Sequence, residues 1–164
     1  SFRKTLSSLI ESLEQKTARC KSCMRYDDPS TQGLCAICAD LTREQTLVVV
    51  EHDVDIDALE SSLTYKGYYF VLGGLMPLSK QKKARTIHDA ELMKRVKGMA
   101  GLTEVIFALA TTPEGDFTAR ELMTKMHSSF PTIKTTLLGR GLSVGAEVEY
   151  ADPETLRSAL KNRS

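Results

Sequence analysis

Apolar residues recur at helical spacing over residues 4 to 18, where Leu6, Leu9, Ile10 and Leu13 share one face while Lys4, Glu11 and Glu14 lie elsewhere. That spacing predicts a short amphipathic helix. From Thr46 the pattern changes to apolar runs alternating with helical stretches. The predicted order is a strand from Thr46 to Glu51, a helix from Asp53 to about Tyr65, and a strand over Tyr68 to Leu72. A long basic loop follows, then a helix near Asp89 to Lys97, a strand over Glu104 to Ala110, a helix from about Gly115 to His127, and a strand over Thr132 to Leu138. Near-continuous apolar strands joined by helices imply an α/β fold with a mainly parallel sheet covered on both faces. A glycine-rich loop over residues 139–145 leads to a predicted strand around Glu147 to Tyr150 and a last helix, capped by Asp152 with Pro153 at its first position.

The stretch between the first helix and the first strand has no such periodicity. It holds every cysteine of the chain, as Cys20-x-x-Cys23 and Cys35-x-x-Cys38. A two-residue gap lets one tight turn present two thiolates from one side, and two such turns complete the tetrahedral shell of a structural zinc ion. Two disulfides, an iron–sulfur cluster and a redox dithiol pair are the competing readings. Disulfides are disfavoured because the N-terminus has no apolar signal core and no window of about 20 residues is apolar enough to span a bilayer. Four thiolate ligands leave no coordination position for a substrate, so the metal is expected to hold structure. The pattern divides the chain into a helix at 1–18, a four-cysteine zinc finger at 19–44, an α/β domain at 45–138 and a C-terminal segment at 139–164.

Charge narrows the view less than the cysteines do. The formal net charge of +1 creates no global field, so nucleic-acid contact must come from local patches. One patch collects Lys80, Lys82, Lys83, Arg85, Lys94, Arg95 and Lys97 against Asp89 and Glu91. Its bland reading is a solvated loop and helix face; its functional reading is contact with DNA or a partner. Arg140, between two glycines, offers a guanidinium to phosphate or to another subunit's carboxylate, and a positive φ at Gly139 or Gly141 would explain those glycines with no ligand. His88 and His127 read as surface residues without partners.

Ligands of open parallel sheets bind beyond the carboxyl ends of the strands. Glu51 ends the first strand, and Glu114 and Asp116 lie in the turn after Ala110. If those strands are neighbours, three carboxylates meet on one edge and suit Mg²⁺, a hard cation that takes oxygen ligands. The competing reading makes Glu114 and Asp116 helix-cap and dipole residues. Asp53-x-Asp55-x-Asp57 opens like a calcium loop but has Ala58 and Thr64 where that loop needs Gly and Glu, which leaves Asp53 as the cap of the next helix.

The order of parts resembles the RecR family of bacterial recombination mediators. The resemblance runs from the four-cysteine knuckle and the Glu51-ended strand through Tyr65-Lys66-Gly67-Tyr68 and Val71-Leu72-Gly73-Gly74-Leu75. It continues through Thr112-Pro113-Glu114-Gly115-Asp116, Arg140-Gly141-Leu142-Ser143-Val144-Gly145 and Glu149-Tyr150-Ala151-Asp152. It implies a Toprim domain over residues 45 to about 135 and a family C-terminal segment. It further implies a non-catalytic, homo-oligomeric clamp, dimer or tetramer, that works with RecO-like and RecF-like proteins to load recombinase on single-stranded DNA in the bacterial cytoplasm, at the nucleoid. The family's N-terminal helix-hairpin-helix region has no counterpart ahead of Cys20, so weaker DNA binding is expected of this chain. His52 stands where the family often has a second acid. The alternative is a Toprim nuclease or primase-like enzyme in which Glu51, Glu114 and Asp116 hold Mg²⁺ for phosphoryl transfer.

Overall fold

A computed structural model describes residues 2–27, 33–79, 87–142 and 144–161. Helix α1 (Phe2–Lys16) is followed by a small hairpin of β1 (Ala18–Arg19) and β2 (Tyr26–Asp27), and then by α2 (Ala36–Ala39). The α/β domain comprises β3 (Thr46–Val50), α3 (Asp53–Ser61), β4 (Tyr68–Val71), α4 (Asp89–Gly98), β5 (Glu104–Ala108), α5 (Pro113–Ser129) and β6 (Lys134–Leu137). Helix α6 (Pro153–Lys161) closes the described chain.

The four strands of the domain lie in the order β4-β3-β5-β6, all parallel. The chain steps outward from β3 to β4, then back across β3 to β5 and on to β6. With right-handed crossovers, that reversal puts α3 on one face and both α4 and α5 on the other. The packing agrees. Alternation along β3 sends Leu47 and Val49 into a core with Phe70, Phe107, Leu92 and Val96 of α4, and Leu122 and Met126 of α5. Val48 and Val50 point the opposite way, to Ile56 of α3 and Tyr69. Fully buried side chains such as Phe70, Phe107 and Leu122 each contribute about 1.5–3 kcal/mol.

The second face is covered less completely than the apolar runs imply. Val105 and Phe107 of β5 are buried, but Glu104, Ile106 and Ala108 are half-exposed, because only α3 and the cysteine knuckle pack there. Helix α1 has the expected apolar stripe, yet Leu6, Leu9, Ile10 and Leu13 are all exposed.

Several boundaries move for local reasons. Helix α3 stops at Ser61 rather than Tyr65, because Leu63 turns left-handed at φ 54°. Its N-cap is His52, not Asp53, and Asp55 is the residue that reaches back, accepting from the His52 amide at 2.8 Å. Strand β6 begins at Lys134 instead of Thr132, since a turn donating Ile133 N–H to Phe130 O occupies the preceding residues. The strand expected at Glu147 to Tyr150 is a 3₁₀ turn over Val148–Tyr150. Its amides bond locally, from Tyr150 to Glu147 O and Ala151 to Val148 O, in place of a sheet neighbour. The last helix starts as expected: Asp152 Oδ1 accepts from the Glu154 and Thr155 amides at 3.0 and 2.9 Å. No helix among the described residues is long and apolar enough to cross a membrane.

Candidate functional site

The two cysteine pairs are held by different local devices. Cys20 and Cys23 occupy the turn of the β1–β2 hairpin, which is closed by Cys20 N–H to Arg25 O and Met24 N–H to Cys20 O, with Met24 at φ 65°. Cys35 is the N-cap of α2, and its sulfur accepts from the Cys38 amide at 3.4 Å. The Cys35 amide in turn donates to Cys20 Sγ at 3.4 Å. All four sulfurs lie within 4.8 Å of one another and all four residues are buried. The Cys23 and Cys35 sulfurs are 3.6 Å apart, much longer than the S–S bond of about 2.05 Å. A metal about 2.3 Å from four tetrahedral sulfurs requires S···S separations of about 3.8 Å. The cluster therefore has the donors and the spacing to hold a metal ion. Hydrogen bonds from Cys23, Cys35 and Cys38 pull the Cys20 thiol pKa down. Hydrogen bonding to Cys20 first, and burial after it, push the Cys23 thiol up. A cation replacing those shared protons allows all four sulfurs to ionise.

The knuckle is fastened to the sheet beside the carboxyl end of β3. Val71 N–H donates to Cys23 O at 2.8 Å. His88, expected to be a surface residue without partners, bridges the two parts: Nδ1 lies 3.1 Å from Val71 O and Nε2 3.0 Å from Arg19 Nη1. A carbonyl can only accept, so the network assigns the ring proton to Nδ1 and leaves Nε2 to accept from the guanidinium. Arg19 also stacks on Tyr26, 4.3 Å from its ring centroid. The sequence signal for His88 was its place just before the Asp89 helix; its reach across to Arg19 had none.

Strands β3 and β5 are neighbours, with Val50 opposite Ala108, so Glu51 and the Thr112–Asp116 turn do lie along one edge. Their carboxylates do not assemble: among the described residues, the cysteines are the one group of three or more metal-type donors. Glu51 is mostly buried, with Oε1 3.7 Å from His52 Nε2. Asp116 sits in the first turn of α5, which Thr112 caps by accepting from the Gly115 amide at 3.1 Å. Gly115 is required there, because a Cβ would come 1.9 Å from Ala110 O. The Asp116 carboxylate is engaged by Arg140, through a close Nη2 contact to Oδ1 and a 3.5 Å contact from Nη1 to Oδ2. The guanidinium holds the Asp116 carboxyl below its usual range. Arg140 thus meets a carboxylate of its own chain, and the alternative explanation of its flanking glycines does not hold, since neither Gly139 nor Gly141 has a positive φ.

Lys80, Lys82, Lys83 and Arg85 lie outside the described residues. Arg43 carried no expectation, yet it makes paired hydrogen bonds of 2.9 and 2.7 Å to Glu60 and a third of 2.8 Å to Gly67 O. Tyr69 donates to the same carboxylate at 2.7 Å.

The sequence matches the Toprim domain family over residues 45–136 and the family described as RecR, C-terminal, over residues 141–164. Recombination protein RecR of Porphyromonas gingivalis is 36% identical over 163 residues, which cover 99% of this chain and 75% of the relative. The chain belongs to the RecR family. A second RecR relative, from Lacticaseibacillus casei, is 35% identical over 99% of this chain and 78% of its own length. A third, from Levilactobacillus brevis, is 41% identical over 79% of this chain and 65% of its own. The Toprim match begins just before β3 and ends within β6, so it frames the four-stranded sheet and leaves the knuckle and α6 as additions on either side of it.

Proposed function

We propose that this RecR-family chain is a non-catalytic subunit of bacterial DNA recombination and repair. It works as a homo-oligomer on DNA, with RecO-like and in some lineages RecF-like partners, in the cytoplasm at the nucleoid, and it carries structural zinc on Cys20, Cys23, Cys35 and Cys38. The relatives named as recombination proteins, aligned over nearly the whole chain, support the pathway.

The observation that carries the non-catalytic half is the Arg140–Asp116 pair. Metal-assisted phosphoryl transfer needs carboxylate oxygens free to hold Mg²⁺. Here the guanidinium takes both oxygens of Asp116, and Glu51 stands apart beside His52. Glu51, Glu114 and the Arg140-paired Asp116 then serve as a partner-docking edge.

The test is complementation. Expression in a bacterium deleted for its RecR-family gene should restore survival after DNA damage, and the purified chain with a RecO-like protein should speed recombinase loading on coated single strands. Mg²⁺-dependent cleavage of DNA or RNA, abolished by Glu51→Gln, would overturn the reading in favour of a Toprim nuclease. Elemental analysis should return one zinc per chain, and iron in its place would refute the metal assignment.

A further inference from the structure

A groove of about 400 Å³ separates the knuckle from α4. Lys21 lines one wall, from inside the first cysteine turn, and Lys94 and Arg95 of α4 line the other; Met24 and Leu34 add apolar surface, and Glu91 is the one acid among the lining residues. Two of the cations, Lys21 and Arg95, are placed by local structure. Lys21 donates its amide to Gly33 O at 3.0 Å. Its side chain lies so close over Gly33, at φ +78°, that a Cβ there would sit 2.8 Å from Lys21 Cε. Arg95 stacks on Tyr68 with its guanidinium carbon 5.3 Å from the ring centroid, and its buried Nε has no hydrogen-bond acceptor among the described residues.

None of the three has an acidic partner within 4 Å among the described residues. In contrast, Arg25, Arg43, Lys125, Lys134 and Arg140 each pair with a carboxylate. Arg95 complements the negative end of the α4 dipole. That explanation does not reach Lys21, which belongs to another element and faces the same space.

We propose that this groove binds the phosphate backbone of single-stranded nucleic acid. Three cations on the two walls of the groove, unpaired among the described residues, suit a phosphate backbone, and Met24 and Leu34 offer apolar surface to a sugar or base. The groove is too small for a duplex. The choice of nucleic acid over another polyanion rests on the recombination reading. Because Lys21 is part of the cysteine turn, the site depends on an intact knuckle.

The experiment is fluorescence anisotropy of a labelled oligothymidylate against the full chain over a series of salt concentrations. The triple variant Lys21→Gln, Lys94→Gln, Arg95→Gln should lose roughly tenfold in affinity at low salt. Its slope of log K against log salt should flatten by about 2, at about 0.7 per single-strand phosphate contact. Lys134→Gln, whose ammonium pairs with Glu104, should behave like wild type. If the triple variant fails to fold, the Lys21→Gln, Lys94→Gln double variant, changed at two exposed positions, should flatten the slope by about 1.4. A wild-type slope in the folded variants overturns the groove. So does displacement of the oligonucleotide by poly-glutamate as effectively as by unlabelled oligothymidylate at equal charge. Complementation separates the two readings. A wild-type chain that complements while the groove variants bind normally leaves recombination standing and removes the groove. Binding that the variants lose, in a chain that fails to complement, retains the groove and removes recombination.

Discussion

Thr118 is fully buried, and replacing it tests how the carboxyl edge of the sheet is held. Its hydroxyl donates to Glu114 O at 2.7 Å and accepts from the Met76 amide at 2.8 Å. It therefore ties the segment after β4 to the first turns of α5, near Asp116. Thr118→Val keeps the shape and removes the acceptor. The Glu114 carbonyl retains its helix ladder bond, but the half-buried Met76 N–H is left without a partner at a cost of about 1–3 kcal/mol. The methyl that replaces the hydroxyl recovers under about 1 kcal/mol. A net loss of about 1–2 kcal/mol lowers Tm by about 3–6 °C in a chain of this size. Thr118→Ser keeps the hydroxyl and loses one methyl, costing about 1 kcal/mol, so melting alone separates the two weakly. Amide exchange separates them cleanly: Met76 should lose protection in the valine variant and keep it in the serine variant. A valine variant that melts within about 1 °C of wild type, with Met76 still protected, would refute the reasoning.

Gly115→Ala places a Cβ 1.9 Å from Ala110 O, a backbone atom that cannot swing aside, and should cost about 3 kcal/mol or more in urea unfolding; a loss under about 1 kcal/mol would show that α5 slides freely at its start. The Arg43 guanidinium, opposed by burial and reinforced by the Tyr69 hydroxyl, holds the Glu60 carboxyl below its ordinary value of about 4.5. A depressed folded pKa means that this stabilisation is complete above about 4.5 and is lost as pH falls through the lower folded value. Glu60→Gln should therefore be less stable near neutral pH by about 1–2 kcal/mol and flatter across the acid limb; parallel acid limbs for the two proteins would count against it. Chelation should open residues 19–40 to amide exchange while the far-UV circular dichroism of the sheet and its helices persists, and a single-step loss of both would make knuckle and domain one cooperative unit.

The sheet was readable because its strands are short apolar runs of β-branched and aromatic residues, and because parallel strands need crossover helices of the length that the spacing allows. Where the chain departs from the expectation, the competing interaction is local. Leu63 enters the left-handed region and ends α3 early, and the Val148–Tyr150 segment satisfies its own amides in a 3₁₀ turn when no sheet edge is offered. The cysteine cluster was legible for a related reason. Both pairs sit in turns of their own, so local spacing fixes half of the shell and only the meeting of the two halves is tertiary.

The carboxylate edge was legible only by position. Strand adjacency brings Glu51 and Asp116 to one side of the sheet, as the ends of neighbouring parallel strands must be. Whether the carboxylates converge depends on a guanidinium 24 residues downstream of Asp116, and no periodicity reports that pairing.

The same limit hides what the knuckle does for the sheet. Val71 is the last residue of β4, an edge strand with no neighbouring strand on its outer side among the described residues. Its amide is taken by Cys23 O and its carbonyl by His88 Nδ1. An unpaired strand edge is a template for unwanted pairing, commonly blocked by covering it. The cysteine turn covers this one at its carboxyl end, directly beside Glu51. The four sulfurs fix the turn, the turn caps β4, and the capped strand holds the Gly73 amide 3.0 Å from Glu51 O. A metal held by the four sulfurs would therefore be connected to the acidic edge by two backbone hydrogen bonds, Val71 N–H to Cys23 O and Gly73 N–H to Glu51 O. Its removal should be detected at Val71 and Gly73 before the rest of the sheet responds.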